Sequence, residues 1–214
     1  MKCKLIGRFV KHLEVELSQG EEFYSERKSL VYSDDAIDCS TELIGSGFGR
    51  LLGAKIAGES LLLFRYRNIS PRPAKLVVSA GSGMLHFKLV GQDLICRRGS
   101  YVASTSKVDI DTKFSISGMM GGMSMFLQRI RGNATVFLGC VGDPVVVDLQ
   151  PGQTIRIDEN HFLAVEGIPE SRIAARWSVQ NLLGGEGFSM LHVTGPGKVY
   201  LNPGTQFLRE NDIR

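Results

Sequence analysis

Apolar and polar residues alternate along several short stretches of this chain. The segments 154–158 (TIRID) and 107–111 (KVDID) follow a period of two residues, which is the spacing of side chains on the two faces of a β-strand. Short β-branched runs at 75–78 and 144–147 are bounded by turn residues, and helical periodicity is nearly absent. The pattern predicts an all-β protein built from sandwich or barrel units.

One strand-and-turn unit recurs three times. The apolar triplet that begins at Leu30 returns at Tyr101 and Phe162, 71 and 132 positions later. The turn glycine before each triplet keeps the same two offsets: Gly20, Gly91 and Gly152. Chance recurrence of turns would not keep several anchors at constant offsets. The sequence therefore predicts a single domain over residues 1–214, made of three tandem repeats in a pseudo-threefold arrangement. The repeats span about 10–83, 84–142 and 143–205.

Four motifs carry a resemblance to a known family. They are the segments 29–32 (SLVY), 51–61 (LLGAKIAGESL), 185–188 (GEGF) and 195–201 (GPGKVYL). In this order they resemble the "altered inheritance of mitochondria" family, over almost the whole chain. The resemblance implies three β repeats around a pseudo-threefold axis, a fold like that of the tryptophan RNA-binding attenuation protein, and a tendency to oligomerise. The resemblance supplies no activity and no catalytic residues for this chain, because none is established for the family.

Composition and charge narrow the class of protein only slightly. Hydrophobic residues make up 43% and charged residues 22% of the chain, as in ordinary globular proteins. The net charge is +3, which permits an anionic partner without indicating one. No CxxC motif links the four cysteines, so free thiols in a reducing compartment are expected. The start lacks the apolar stretch of a signal peptide, and the sequence predicts a cytoplasmic protein.

Catalytic and metal-binding patterns are not found in the sequence. The four histidines are scattered and form neither an HxH nor an HxxxH pair: His12, His86, His161 and His192. Ser46 and Ser82 each lie between glycines, but neither belongs to a GxSxG elbow. The sequence therefore predicts no metal, no cofactor and no enzymatic activity. An enzyme whose residues meet only in three dimensions is the remaining alternative.

Glycine-rich segments with large apolar residues occupy equivalent places in the three units. Their apolar residues form a candidate assembly face: Leu51, Leu52, Met119, Met120, Leu182 and Leu183. Apolar side chains on glycine loops have to be covered by something. One interpretation buries them along the chain's own pseudo-threefold axis. The other makes them a shared face for subunit association or for contact with a membrane surface.

A pair of residues two positions apart recurs in each unit, and this spacing places both side chains on one face of a strand. The pairs are Arg65 with Arg67, Arg129 with Arg131, and His192 with Thr194. Gathered at a common centre, the four arginines would bind phosphate or RNA. The favoured alternative is structural. A hairpin would set three upstream carboxylates opposite these strands as cross-strand partners: Asp38, Asp109 and Asp111.

These observations favour a non-enzymatic scaffold or interaction protein. Its expected partners are further copies of itself, together with a membrane surface or a protein partner. The alternative function is anion or nucleic-acid binding through the arginine strands, and nucleic acid is the less favoured partner.

Overall fold

The computed structural model describes residues 1–8, 10–43, 62–117, 124–177 and 189–204. Within these ranges the chain forms β-strands, two 3-10 helices of three residues each, and no α-helix. The prediction of an all-β protein is confirmed.

The strands divide along the chain into β1 and three consecutive sets of six. Before the first set lies β1 (Lys2–Ile6). The first set is β2 (His12–Leu17), β3 (Glu22–Ser25), β4 (Leu30–Ser33), β5 (Ile37–Leu43), β6 (Leu62–Asn68) and β7 (Ala74–Ser79). The second set is β8 (Gly83–Val90), β9 (Leu94–Arg97), β10 (Tyr101–Ser104), β11 (Asp109–Ser117), β12 (Ser124–Arg131) and β13 (Asn133–Cys140). The third set is β14 (Val145–Leu149), β15 (Thr154–Asp158), β16 (Phe162–Glu166), β17 (Ile173–Trp177), β18 (Ser189–Thr194) and β19 (Gly197–Leu201). The short 3-10 helices Glu159–His161 and Glu170–Arg172 flank β16.

The same strand pairings recur in all three sets. In each set the first strand pairs with the sixth, the sixth with the third, the fifth with the fourth, and the fifth with the second. All of these pairings are antiparallel. The pseudo-threefold arrangement in space, the single domain and the repeat boundaries stay predictions.

Neighbouring sets share sheets. The second strand of one set pairs with the third strand of the next, as β3 does with β10 and β9 with β16. Two six-stranded sheets result, β5-β6-β3-β10-β13-β8 and β11-β12-β9-β16-β19-β14. The other strands form a four-stranded sheet, β1-β2-β7-β4, and a three-stranded sheet, β15-β18-β17. We call the region where the first and second sets meet, which includes the β3–β10 pairing, the first junction. The region where the second and third sets meet, which includes the β9–β16 pairing, is the second junction.

The buried apolar residues also cross from set to set. Strand β10 shows how this happens: Tyr101 belongs to a cluster around Ile130, whereas Val102 and Ala103 belong to a cluster around Leu76. One strand therefore contributes to two cores, on the two faces of its sheet. Burial of this apolar area is the main stabilising term for such a fold.

The turn glycines that define the repeat have a shared conformation. Gly20, Gly91 and Gly152 have φ angles of +77°, +82° and +78°. A Cβ at any of them would meet no heavy atom within 4 Å, so the requirement for glycine is conformational rather than steric. Gly132 and Gly197 also have positive φ angles, of +146° and +142°.

Candidate functional site

The first arginine pair lies on β6, between β5 and β3. The register places Arg67 opposite Asp38 on one side and Glu22 on the other. The Nη1 atom of Arg65 lies 3.1 Å from Oε1 of Glu42 and 3.7 Å from Oε1 of Glu22. The positive charge of Arg65 is therefore offset by two carboxylates.

The second pair lies on β12 in the same way. Arg129 stands opposite Asp111, and Arg131 stands opposite Asp109. The Nε atom of Arg131 donates to Oδ2 of Asp93 at 3.2 Å, and Arg129 lies 3.6 Å from the same oxygen. The three upstream carboxylates thus stand opposite arginines across the hairpins, as the structural interpretation of the sequence predicted.

Both networks connect neighbouring sets. At the first junction Lys107 of the second set donates to Glu42 of the first set at 2.6 Å. This hydrogen bond is the main reason why the pKa of Glu42 lies below its usual value. At the second junction Arg129 of the second set is bonded to Glu170 of the third set. Partly buried arginines with two carboxylate partners are suited to joining elements of structure.

The third set has a different electrostatic character. His192 on β18 stands opposite Arg156 on β15, and Arg176 lies on the neighbouring strand β17. Desolvation lowers the pKa of His192, and the two arginines lower it further. Within the described part of the chain, neither Arg156 nor Arg176 has an ion-pair partner. This sheet therefore carries an exposed basic face, which we call the β15 face.

A cleft of about 370 Å³ lies at the first junction. It is formed by the equivalent turns after β3 and β9, and the backbone N–H of Glu26 donates to the carbonyl of Val102 there at 2.8 Å. The hydroxyl of Ser82 is buried in its wall and has no hydrogen-bond partner among the described residues. Four basic residues line the cleft: Arg27, Lys28, Arg97 and Arg98.

The acidic group in this cleft is perturbed. Although Glu26 as a residue is exposed, protein atoms around its carboxyl displace water and raise its pKa to about 7. The sequence patterns did not predict this cleft. The signal was present, since Arg27 and Arg98 lie 71 positions apart, which is the offset between the first two units.

The thiols and histidines do not form a reactive centre in the part of the chain that the structure describes. All four cysteines are free. Desolvation of the sulfur raises the pKa of Cys96, which is buried, and of Cys3, which is exposed as a residue, to about 11, and this disfavours the nucleophilic thiolate. Among the described residues, no three His, Cys, Asp or Glu side chains form a metal-binding group. The same residues include no helix with the length and apolar character needed to span a bilayer.

The candidate assembly face of the sequence analysis lies outside the described residues. This applies to all six of its members: Leu51, Leu52, Met119, Met120, Leu182 and Leu183.

A family model for mitochondrial biogenesis AIM24 matches residues 3–204. The chain belongs to this family. The family resemblance given by the sequence motifs is confirmed, and the likeness to the tryptophan RNA-binding attenuation protein stays a prediction.

Two proteins similar to this AIM24 family member come from Streptococcus pyogenes. An uncharacterized protein of the serotype M6 strain is 24% identical over an alignment of 165 residues, and the match covers 71% of this chain and 64% of that protein. The chain thus matches less than two thirds of that relative's length. The X-ray structure of another S. pyogenes protein has a TM-score of 0.71 and 19% identity, and the match covers 95% of this chain and 94% of that one. At this identity the likeness shows the fold alone.

Proposed function

We propose that this AIM24 family member is a non-enzymatic, cytoplasmic scaffold that associates with itself and presents a surface to a protein partner or a membrane. The observation that carries the proposal is strand β4. It lies at the edge of its sheet, and three large apolar side chains in a row are 39%, 61% and 50% exposed: Leu30, Val31 and Tyr32. An apolar, unpaired strand edge of this kind invites pairing with another chain.

The chemistry of the described residues supports a binding role over a catalytic one. The thiols have raised pKa values. At the first and second junctions, the arginines form ion pairs with carboxylates. Exposed free thiols at Cys3 and Cys39 suit a reducing compartment such as the cytoplasm.

Native mass spectrometry of protein purified without added ligand tests the scaffold function. We expect an oligomer with no retained small molecule or nucleic acid. A species that is monomeric at every concentration, binds no vesicles and captures no partner would contradict the proposal.

The glycine loops supply the second part of the proposal, which is contact through the candidate assembly face. We expect the triple variant Leu51→Asp, Met120→Asp, Leu183→Asp to dissociate from oligomers into smaller species, or to stop binding anionic vesicles in a flotation assay. If both properties are unchanged in a folded variant, these loops are not the contact surface.

Anion binding is the second candidate function, and the cleft at the first junction favours it. Its four cations could engage phosphate oxygens through charge-assisted hydrogen bonds, together with the hydroxyl of Ser82, which has no partner among the residues that the structure describes. The originally predicted residues Arg65, Arg67, Arg129 and Arg131 face carboxylates, which makes them weaker candidates for the same ligand.

Filter binding of single-stranded RNA at low and moderate salt, with inorganic phosphate as competitor, tests this candidate. We expect salt-sensitive retention that falls in the double variant Arg27→Ala, Arg98→Ala. The double variant Arg65→Ala, Arg129→Ala is the control, because it removes one arginine from each of the arginine strands β6 and β12. No retention at low salt would remove the candidate function.

A further inference from the structure

The four-stranded and three-stranded sheets have free edges that match each other. Two sheets of the molecule have six strands, because the second strand of one set pairs with the third strand of the next. Two strands are left over from this pattern: β15, which is the second strand of the third set, and β4, which is the third strand of the first set. Each lies at the edge of its sheet and, within the described residues, pairs with no strand on its outer side.

Strand β4 has the same backbone form as its buried equivalents. A bulge interrupts the register between Leu30 and Tyr32, and the same irregularity occurs at the corresponding places in β10 and β16. Bulges re-aim a strand locally and are specific features of a fold. The edge of β4 is thus shaped like the two edges that already have partners.

The two closed junctions define the register that a third would have. Ala103 pairs with Ser25 at the first junction, and Ala164 pairs with Cys96 at the second. From the first junction to the second, the third-strand residue moves by 61 positions and the second-strand residue by 71, which are the offsets between the sets to which they belong. The corresponding pair at a third junction is Tyr32 with Ile157.

The charges on the two free surfaces are complementary. At the second junction the segment that follows β16 supplies Glu170 to Arg129. The segment that follows β4 carries Asp34 and Asp35, both exposed. The corresponding basic surface is the β15 face, with its exposed Arg156 and Arg176. A junction between β4 and β15 would bring these opposite charges together.

We infer that β4 of one copy pairs in antiparallel fashion with β15 of a second copy, with Tyr32 opposite Ile157, and so completes a third six-stranded sheet between chains. The interface is heterologous, because two different surfaces meet head to tail. It forms either a closed ring or an open filament. This inference rests on the self-association in the proposed function and names the surfaces that carry it.

Two blocked variants test the inference. Val31→Lys places a charge on the β4 edge and leaves the β15 face intact. The double variant Arg156→Glu, Arg176→Glu reverses the charge of the β15 face and leaves β4 intact. We expect each variant alone to raise the concentration of half-assembly at least tenfold in light scattering and native mass spectrometry, with an unchanged circular dichroism spectrum.

Mixing the two blocked variants gives the sharpest result. One intact β4 and one intact β15 face remain in the mixture, so assembly stops at a heterodimer of one copy of each. A symmetric interface of β4 with β4 would instead give homodimers of the variant that retains β4. Val146→Lys is the matched control, because it changes an exposed valine on another edge strand with apolar residues, β14, and we expect it to assemble normally.

The other outcomes separate the inference from the proposed function. If the wild-type protein assembles and Val31→Lys assembles equally well, the β4–β15 pairing is wrong while the scaffold function stands. If Val146→Lys alone blocks assembly, β14 is the interface and the inference fails. If the wild-type protein stays monomeric up to the highest soluble concentration, both the inference and self-association fail.

Discussion

Strands β4 and β10 occupy the same place in successive sets, yet one is exposed and the other is buried. Val31 on β4 is 61% exposed, whereas Val102, 71 positions later, is 5% exposed. Both strands are apolar, both carry the bulge, and both pair with the sixth strand of their own set. The difference is that β3 covers the outer edge of β10, and the described part of the chain provides no such cover for β4. A strand's burial is therefore decided by the neighbouring set as much as by its own residues.

The electrostatics differ in the same way. At the second junction the positive charge of Arg129 meets Asp93 of its own set and Glu170 of the third set. At the free edges the charges are separated, with Asp34 and Asp35 after β4 and the arginines on the β15 face. Separated surfaces of opposite sign steer association and fix its orientation.

The largest effect on the free energy of unfolding is expected when a charge replaces the middle residue of the apolar triplet, which is Val31, Val102 or Leu163 in the three sets. We expect Val102→Asp and Leu163→Asp to lower the free energy of unfolding by about 3 to 5 kcal/mol, because they bury an unpaired carboxylate. Val31→Asp should change it by about 0.5 kcal/mol or less at an exposed site. Urea unfolding at a concentration where the protein is monomeric measures all three. Equal losses in the three variants would show that β4 is buried in solution and would break the comparison.

The repeat in the sequence predicted much of this comparison. The offsets of the turn glycines and apolar triplets marked the positions that become equivalent strands. The sequence could not show which of the three triplets is left exposed, because the letters 30–32 (LVY) are as apolar as 101–103 (YVA) and 162–164 (FLA). Coverage depends on pairing between sets, which is a long-range property with no local pattern.

A smaller effect is expected at the arginines that join the sets. Arg129 has 22% of its side chain exposed and forms ion pairs with Asp93 and Glu170, whereas Arg131 is 42% exposed and forms an ion pair with Asp93. We expect Arg129→Met to cost about 1 to 2 kcal/mol of unfolding free energy and Arg131→Met about 0.5 kcal/mol or less.

A double-mutant cycle separates the junction contact from the local one. The coupling between Arg129→Met and Glu170→Gln, measured by urea unfolding, reports the bond between the second and third sets. Coupling indistinguishable from zero would mean that this bond does not hold the junction together.

The candidate sites show where sequence reasoning stopped. Spacing in the sequence placed the two arginines of each pair on one face of a strand, and the cross-strand carboxylates followed from hairpin geometry. Glu42 and Glu170 were missed as partners, because each joins a network that crosses from one set to another. The cleft at the first junction was missed for a similar reason, since its basic residues come from two turns that are far apart in the chain.

The smallest expected effect concerns Glu26, whose backbone N–H joins β3 to β10 at the closed first junction. Desolvation raises the pKa of its carboxyl from 4.5 to about 7 on folding. Between these values the folded protein binds more protons than the unfolded chain, so this group lowers stability as pH rises through that window. We expect Glu26→Gln to flatten the fall in unfolding free energy between pH 4.5 and 7. At pH 8 the gain should be less than about 1 kcal/mol, because solvent screens an exposed residue. Asp148→Asn controls for removal of an exposed charge, and a pH profile equally flattened by both variants would contradict a special role for the carboxyl at the closed junction.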